Sequence, residues 1–408
     1  MYQLILSLYI MGIFDFFKTE KRSSNFLTSA NLYGTSTSGV RVSEKSSIGL
    51  TAVWASIRLL SETIASLPIN VYRMDETSKF IDYANPLNTL ISTSPSPQYT
   101  SYNFIESMMT NLLLWGNAYA QIIRNGGARA IELRIISPEL VEPFKSDDDG
   151  LIYYKIKDSA ILSSQEILHI VGFSFDGISG KSPIQACQQA LGIGMASQTF
   201  GANFFGRGAN LSGVLEHPAR LSDDAANRLR ESWNSRFSGI QNSHQTAILE
   251  EGVKFKPIGM PLADAQFIET RRFSVEEVAR IYRVPNHLIN DLTKSSFNNI
   301  EQQSLEFTKY SLTPYLVNWE QELNRKLLPS REQGTHFFKF RTTELLRSDA
   351  TSRADYYTKL FNIGALSPND IRNMEDMNKI GEVGNKHYVP LNLGDIENIN
   401  NNNDSNGE

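Results

Sequence analysis

The chain has a single cysteine in 408 residues, Cys187, which excludes an internal disulfide and any multi-cysteine zinc site. Nothing cationic flanks it, and its apolar helical surroundings suit a small buried hydrophobe better than a reactive thiolate. Histidine is scarce and scattered. None of the six is spaced so that one helix face supplies two ligands, so neither a metal centre nor a cofactor is expected. The apolar run at residues 1–10 is too short to span a membrane, and without a basic leader and with Asp15 soon after it is wrong for a signal peptide. No membrane partner is expected. Positive charge is not in excess either. The 39 Lys and Arg face 44 Asp and Glu, and the net charge of −5 excludes a protein that grips DNA by neutralising its phosphates.

What is present is an ordinary globular composition, 41% apolar and 20% charged, over a length that suits two to four packed units. Met11 opens MGIFDFF and reads as a natural start, which makes residues 1–10 an extension of the reading frame. Residues 19–47 are rich in Ser, Thr, Asn and Gly and predict a poorly ordered arm. From Leu50 the pattern changes. Leu50, Val53, Trp54, Ile57, Leu60, Ile64 and Leu67 recur at three- and four-residue steps and predict an amphipathic helix ended by Pro68. A strand at 69–74, a helix at 101–115 and a hairpin of 118–124 with 130–136 around Gly126-Gly127 follow. Further strands are expected near 140–145, 151–157 and 166–171, so that 48–176 forms one α+β domain. The acidic run Asp147–Gly150 lacks the ligand spacing and distal Glu of a calcium loop and reads as a solvated turn.

Gly180-Lys181-Ser182 matches the end of a phosphate-binding loop, but that motif needs a glycine five residues before its second one, and position 175 is Phe. Instead Ser182 reads as a helix cap and Pro183 as a first-turn residue of a helix running to about Phe205. Gly192, Gly194 and Gly201 each cost that helix about 1 kcal/mol against Ala, a cost that makes sense where other backbones, such as those of neighbouring subunits, pack close. Ser222 caps the next helix, which carries Asp223 and Asp224 at its positive end and Glu231, Arg228, Arg230 and Arg236 further along. Strands at 246–250 and 253–258 predict a hairpin around Glu251-Gly252, making 209–262 a small inserted α/β unit. A helix at 263–284 follows, with four acids, Glu276 and Glu277 among them, and four arginines, including Arg271, Arg272 and Arg280. These charges either pair, along one face or between chains, or form a solvated face.

Six ordered blocks then carry a specific resemblance over Met11 to about Leu393: TAVWASIRLLSETIASLP (51–68), LLLWGNAYAQIIR (112–124), SPIQACQQALG (182–192), ANLSGVLEHP (209–218), DAQFIETRRFSVEEVARIYRVP (264–285) and NIEQQSLEF (299–307). The chain resembles the tailed-bacteriophage portal family. It departs from the family at Asn286 and Asn290, which stand where a second proline and a glycine often follow the Val-Pro pair.

The resemblance implies an α+β protomer, with an α/β wing, helical stem, small α/β clip and helical crown, that assembles into a homo-oligomeric ring, usually a dodecamer. After the arm at 1–47, residues 48–176 would be the wing, 177–208 and 263–285 the stem helices, 209–262 the clip, and 286–298 the tunnel loop. Residues 299–342 would be a long helix, bent at Pro314, with a return strand to the wing; 343–393, with helices at 348–363 and 368–377, the crown; and 394–408 a disordered tail. Arg271, Arg272, Glu276, Glu277 and Arg280 are then expected at subunit contacts, and Arg228, Arg230 and Arg236 on the clip surface. Lys294, Ser295, Ser296, Asn298 and Asn299 either touch passing DNA or form an ordinary polar loop.

The implied partners are the large terminase, a head–tail adaptor, the major capsid or scaffold protein, and double-stranded DNA in transit. The implied location is the capsid portal vertex, after assembly in the host cytoplasm. No catalytic residue is expected. A DNA motor would need the phosphate loop that Phe175 interrupts, and a non-ring adaptor would stay monomeric.

Overall fold

A computed structural model describes residues 36–75, 78–206, 213–219, 221–237, 253–257, 263–289, 303, 305–342, 350–375, 377–388 and 390. The proposed reading-frame extension at 1–10 lies outside these. The arm was expected to be poorly ordered through residue 47, but from Ser36 it is built into the fold. Ser36 and Val42 are buried, the Thr37 N–H and hydroxyl both donate to Gln189 Oε1 at 2.9 Å, and α1 (Glu44–Ser47) begins with a Ser43–Ser46 capping box. Short polar side chains here make hydrogen bonds to one helix, which composition alone does not reveal.

Helix α2 (Thr51–Ala65) buries Val53, Ile57, Leu60 and Ile64, the stripe its spacing predicts. β1 (Ile69–Met74) follows, then β2 (Lys79–Ile81) and a helix with no forecast, α3 (Pro86–Ser92), capped by Asn85 with Pro86 in its first turn. Thr100 caps α4 (Ser101–Trp115), which ends on Gly116 at φ +74°. β3 (Asn117–Arg124) and β4 (Ala130–Ile136) form the expected hairpin. Its turn differs in one respect. Gly126 and Gly127 keep ordinary φ values, and Ala128 takes φ +60°, because Asn125 Oδ1 accepts from both the Gly127 and Arg129 N–H groups at 3.0 Å and sets the bend there. A left-handed alanine costs about 1–2 kcal/mol, partly offset by the entropy of glycine. Ala128→Gly is therefore expected to raise stability by about 0.5–1 kcal/mol, read as a higher denaturant midpoint; a lower midpoint would refute the assignment of strain.

β5 (Val141–Lys145), β6 (Ile152–Ile156) and β7 (Ile161–Ser163) form one three-stranded sheet, and β8 (Ile167–Val171) joins β3 in another, ordered β4-β3-β8. The acidic turn at 147–150 folds on itself: Asp149 accepts from the Leu151 N–H at 2.9 Å and the Tyr153 hydroxyl at 2.7 Å.

The helix expected at 183–205 is two helices, α5 (Pro183–Ala186) and α6 (Gln188–Gly206), broken at Cys187. At that break Cys187 is half-buried rather than fully buried, and burial pushes its thiol pKa up. The inserted unit contains β9 (Gly213–Glu216), α7 (Asp223–Phe237) and β10 (Lys254–Pro257). β10 pairs antiparallel with β9, Phe255 opposite Leu215; the segment 246–250 expected to form a hairpin with it lies outside the described residues.

Helix α8 (Ala263–Tyr282) ends on Arg283 at φ +55°, with the Val284 N–H donating to Ala279 O at 2.8 Å. The bend anticipated at Pro314 is a π-turn: residues 307–312 are wound wide, and Thr313 N–H donates to Thr308 O five residues back before α9 (Thr313–Leu327). Proline offers no N–H and crowds the preceding turn, and the helix gains a residue there. β11 (His336–Phe340) returns to pair with β1, Ile69 opposite Phe340. Last come α10 (Ala350–Asn362) and α11 (Pro368–Met374).

The main core lies where α2, α4 and α9 cover β1, β11, β3 and β8. Trp319 is its centre, edge-on to Phe104 and donating its indole N–H to Met109 Sδ. Strand alternation divides β3: Ala118, Ala120 and Ile122 enter this core, while Tyr119 enters a smaller one with Tyr154 and Ile167.

Candidate subunit interface and channel segment

Helices α6 and α8 pack side by side. Gly192 accommodates Ser36, whose Oγ would lie 2.3 Å from an added Cβ, whereas a Cβ on Gly194 would sit in ordinary contact, 3.5 Å from Ser274 Cβ. Of the glycines expected to serve contacts between subunits, Gly192 thus serves a contact within the chain. The residues just before the touching pair, Ile193 and Phe273, are 47% and 55% exposed. Neither was singled out from sequence. Phe273 carried a signal, an apolar residue standing between Arg271-Arg272 and Glu276-Glu277, whereas Ile193 lies in an apolar stretch and carried none.

Of the charged candidates on α8, Arg280 pairs with Glu277 within the helix, Arg271 and Arg272 are exposed, and Glu276 is half-buried. On α7, Arg228 and Arg230 are exposed, with Arg228 Nε donating to Asp224 O at 3.4 Å; the Arg236 side chain lies outside the described residues. Ser222 caps α7 as expected, accepting from the Ala225 N–H at 3.3 Å.

Lys294, Ser295, Ser296, Asn298 and Asn299 also lie outside the described residues, but the ends of their segment are described. On one side a 3₁₀ turn spans Asn286–Ile289; on the other, Gln303 Oε1 bonds His287 Nδ1 at 2.8 Å. The Ser311 hydroxyl donates to Arg283 O at 2.5 Å, so the helices entering and leaving the segment are joined at its base.

The loop that imitates a phosphate site is filled by its own chain. Asp176 Oδ1 accepts from the N–H groups of Ile178 (2.8 Å) and Ser179 (3.0 Å) and from the Ser174 hydroxyl (2.8 Å), while the Gly180 N–H donates to Asn117 Oδ1 at 2.7 Å and the Lys181 N–H to Phe173 O. The Ser179 and Ile178 amides, with Ser174, hold the Asp176 pKa down to about 2. The four consecutive N–H groups that would wrap a phosphate are all engaged, and a carboxylate occupies the site of the anion. Ser182 caps α5 as expected, and its hydroxyl donates to Leu114 O.

Behind this loop lies a buried polar relay. Asn117 Nδ2 donates to Gly180 O at 2.9 Å, which makes Oδ1 the acceptor for His169 Nε2–H at 3.0 Å; Nδ1 then accepts from the Tyr154 hydroxyl at 3.1 Å. Burial, with Lys326 and Arg325 nearby, pushes the His169 pKa down to about 3 and keeps the ring neutral. Burial likewise lowers the Lys326 pKa to about 8 and raises that of Glu322, which pairs with Arg325 at 2.7 Å. Among the described residues no group of three or more His, Cys, Asp or Glu is arranged to hold a metal ion, and no helix is long and apolar enough to cross a membrane.

Residues 51–376 match the model of the phage portal protein family. The chain is 32% identical over 388 residues to the probable portal protein of Streptomyces phage phiC31, covering 90% of this chain and 83% of that one. It is 31% identical over 361 residues to the portal protein of Enterobacteria phage HK97, covering 86% and 85%. Among solved structures, a protein of the neck of an empty gene transfer agent particle, computed with C6 symmetry, superposes with a TM-score of 0.58 at 21% identity, covering 80% of this chain and 90% of that one.

Proposed function

Because the chain belongs to the phage portal protein family, we propose that it forms one subunit of a closed ring, a dodecamer, through which DNA enters and leaves the capsid at the head vertex. The observation that carries this reading is the family match over most of the chain, supported by a fold of the same kind.

The mechanism is physical. A head-to-tail contact repeated around an axis closes into a ring of fixed bore. In this reading 48–176, together with the 299–342 helix and return strand, is the wing; α6 and α8 are the stem; 209–262 is the clip; and 343–393 is the crown. Exposed Ile193 and Phe273 supply the apolar part of the stem contact, and Arg271, Arg272, Glu276, Glu277 and Arg280 its polar rim. Duplex DNA carries a negative charge every ~1.7 Å of its axis, so a strongly basic wall would hold it, whereas a chain of net charge −5 lets it slide. Lys294, Ser295, Ser296, Asn298 and Asn299 are the proposed points of passing contact. Arg228, Arg230 and Arg236 lie on the clip that meets the large terminase and later the head–tail adaptor, while the outer body meets the major capsid or scaffold protein. Assembly takes place in the host cytoplasm, and the ring then resides in the virion.

Light scattering after size exclusion, with negative-stain imaging, tests this directly. Rings of about a dozen subunits with a central hole are expected, and a persistent monomer at high concentration would overturn the reading. Ile193→Asp is expected to keep the monomer fold and raise the concentration needed for rings at least ~10-fold, since burying a charge at an apolar contact costs about 1.4 kcal/mol or more. Rings forming at the unchanged concentration would remove Ile193 from the contact.

A further inference from the structure

All buried apolar side chains among the described residues lie at or before Phe340. Beyond it, among the described residues of the unit 350–388, only Ser367, Asn369 and Gly384 are buried. The unit is organised around polar groups. Asn369 Nδ2 donates to Gly381 O at 2.8 Å and Asn385 Oδ1 at 2.7 Å, its Oδ1 accepts from the Ile380 N–H at 3.0 Å, and Gly384 sits directly against its amide. The Tyr357 hydroxyl and Arg353 both reach Glu375, which joins α10 to α11. Meanwhile Ile363, Met377, Ile380 and Val383 are all more than half exposed, Ile363 at 66% and Val383 at 63%.

A segment of this size whose apolar side chains are at best half-buried, Leu360, Phe361, Leu366, Ile371 and Met374 among them, gains only part of the main favourable contribution to folding, and hydrogen bonds at its surface compete with water. Its shape is specified by the asparagine network, but its apolar surface is left uncovered. Charge indicates what covers it. Between 350 and 388 there are five Asp and Glu against five Lys and Arg, interspersed along both helices. Such a surface does not attract DNA or a strongly charged partner, and it is compatible with a copy of itself. Cyclic symmetry then brings the same unit of the next subunit alongside.

We propose that the unit 350–388 completes its hydrophobic core only on assembly, when Ile363, Met377, Ile380 and Val383 pack against the same unit of neighbouring copies and form a continuous apolar collar. This rests on the ring reading and adds to it that the collar is an independent contact, ordered by assembly and distinct from that of the stem.

The test is hydrogen–deuterium exchange of the full chain, comparing ring and monomer fractions, with a second comparison between wild-type rings and those of an Ile363→Ser/Val383→Ser variant. Amides of 363–385 are expected to exchange at least ~100-fold more slowly in the ring than in the monomer, and at least ~10-fold faster in the variant ring than in the wild-type ring. Equal protection in monomer and ring, or variant rings as protected as wild type, would overturn the proposal while leaving the ring intact. Failure of the wild-type chain to form rings would overturn the ring reading and the collar together, so the two failures are distinguishable.

Discussion

Replacing Gly180 with alanine is expected to cost the fold about 3 kcal/mol or more, the largest effect of a methyl added at any described glycine. Gly116, Gly172 and Gly180 bring three backbones to one point, where β3 begins, β8 ends and the connection to α5 crosses between them. The Gly172 N–H donates to Gly116 O at 2.8 Å. A Cβ on Gly180 would lie 1.9 Å from Gly116 O and 2.9 Å from Gly172 N, and one on Gly116 would lie 2.3 Å from Lys181 O. Overpacking usually costs about 1–3 kcal/mol because a neighbouring side chain can rotate away. Here every atom met is main chain, so relief requires two strands to separate, and with them the bonds of Asn117 to Gly180. Gly126→Ala is the control: a Cβ there meets nothing within 4 Å, and a change within about 0.5 kcal/mol is expected. Denaturant midpoints of the two variants decide the matter. If Gly180→Ala proved as stable as Gly126→Ala, the junction would have to be looser than its geometry implies.

That junction illustrates what could be read in advance and what could not. The glycines of α6 were noticed because glycine is costly inside a helix. Gly116, Gly172 and Gly180 lie at element ends, where glycine is common, and nothing in one strand of text says that three such ends meet. The same division holds elsewhere. Helices α2 and α4 and the β3–β4 hairpin were legible because their apolar periods and caps are local. The pairing of β10 with β9 was not, since α7 stands between them in the chain and a strand's partner is set by packing. Cys187 was misplaced by the same reasoning: the apolar period continues through it, but the backbone does not.

The candidate contact on α8 was half legible. Charges attract notice by their number, so Arg271, Arg272, Glu276, Glu277 and Arg280 were chosen, and one of their pairings, Glu277 with Arg280, closes within the helix. Phe273 could have been noticed among its charged neighbours, but Ile193 stands out only once the packed side of α6 and α8 is known, because an apolar residue in a helix is ordinarily assigned to the core. The phosphate-loop likeness was rejected on one missing glycine. The structure supplies the fuller reason, since Asp176 and Asn117 already occupy its donors.

The second large effect is a loss of stability in mild acid, centred on His169. The ring is buried between Asn117 and Tyr154 and stacked on Tyr119 at 4.3 Å, with Lys326 and Arg325 nearby, and its pKa is about 3 against an ordinary value of 6.5. The unfolded chain therefore binds a proton between about pH 6.5 and 3 that the folded chain refuses, and stability falls as pH drops through that window by up to about 1.4 kcal/mol per pH unit. Glu322 acts in the opposite sense. Its pKa is raised by burial, so its contribution is fully present in acid and is lost as pH rises through the folded value, which blunts the total near the carboxylate range. The two separate if His169→Gln is compared with wild type between pH 6.5 and 5, above most carboxylate titration. The variant loses part of the relay and starts less stable, but its pH slope should be shallower, so that wild type loses about 1.5–2 kcal/mol more than the variant over that interval. Equal slopes would mean that the folded chain can protonate His169, which requires water at the relay or a different tautomer. The added proton goes to Nδ1, where it opposes the Tyr154 hydroxyl hydrogen while the Nε2–H bond to Asn117 stays in place, so the loss falls on the Tyr154 side of the relay and leaves the crossing beside Gly116 intact.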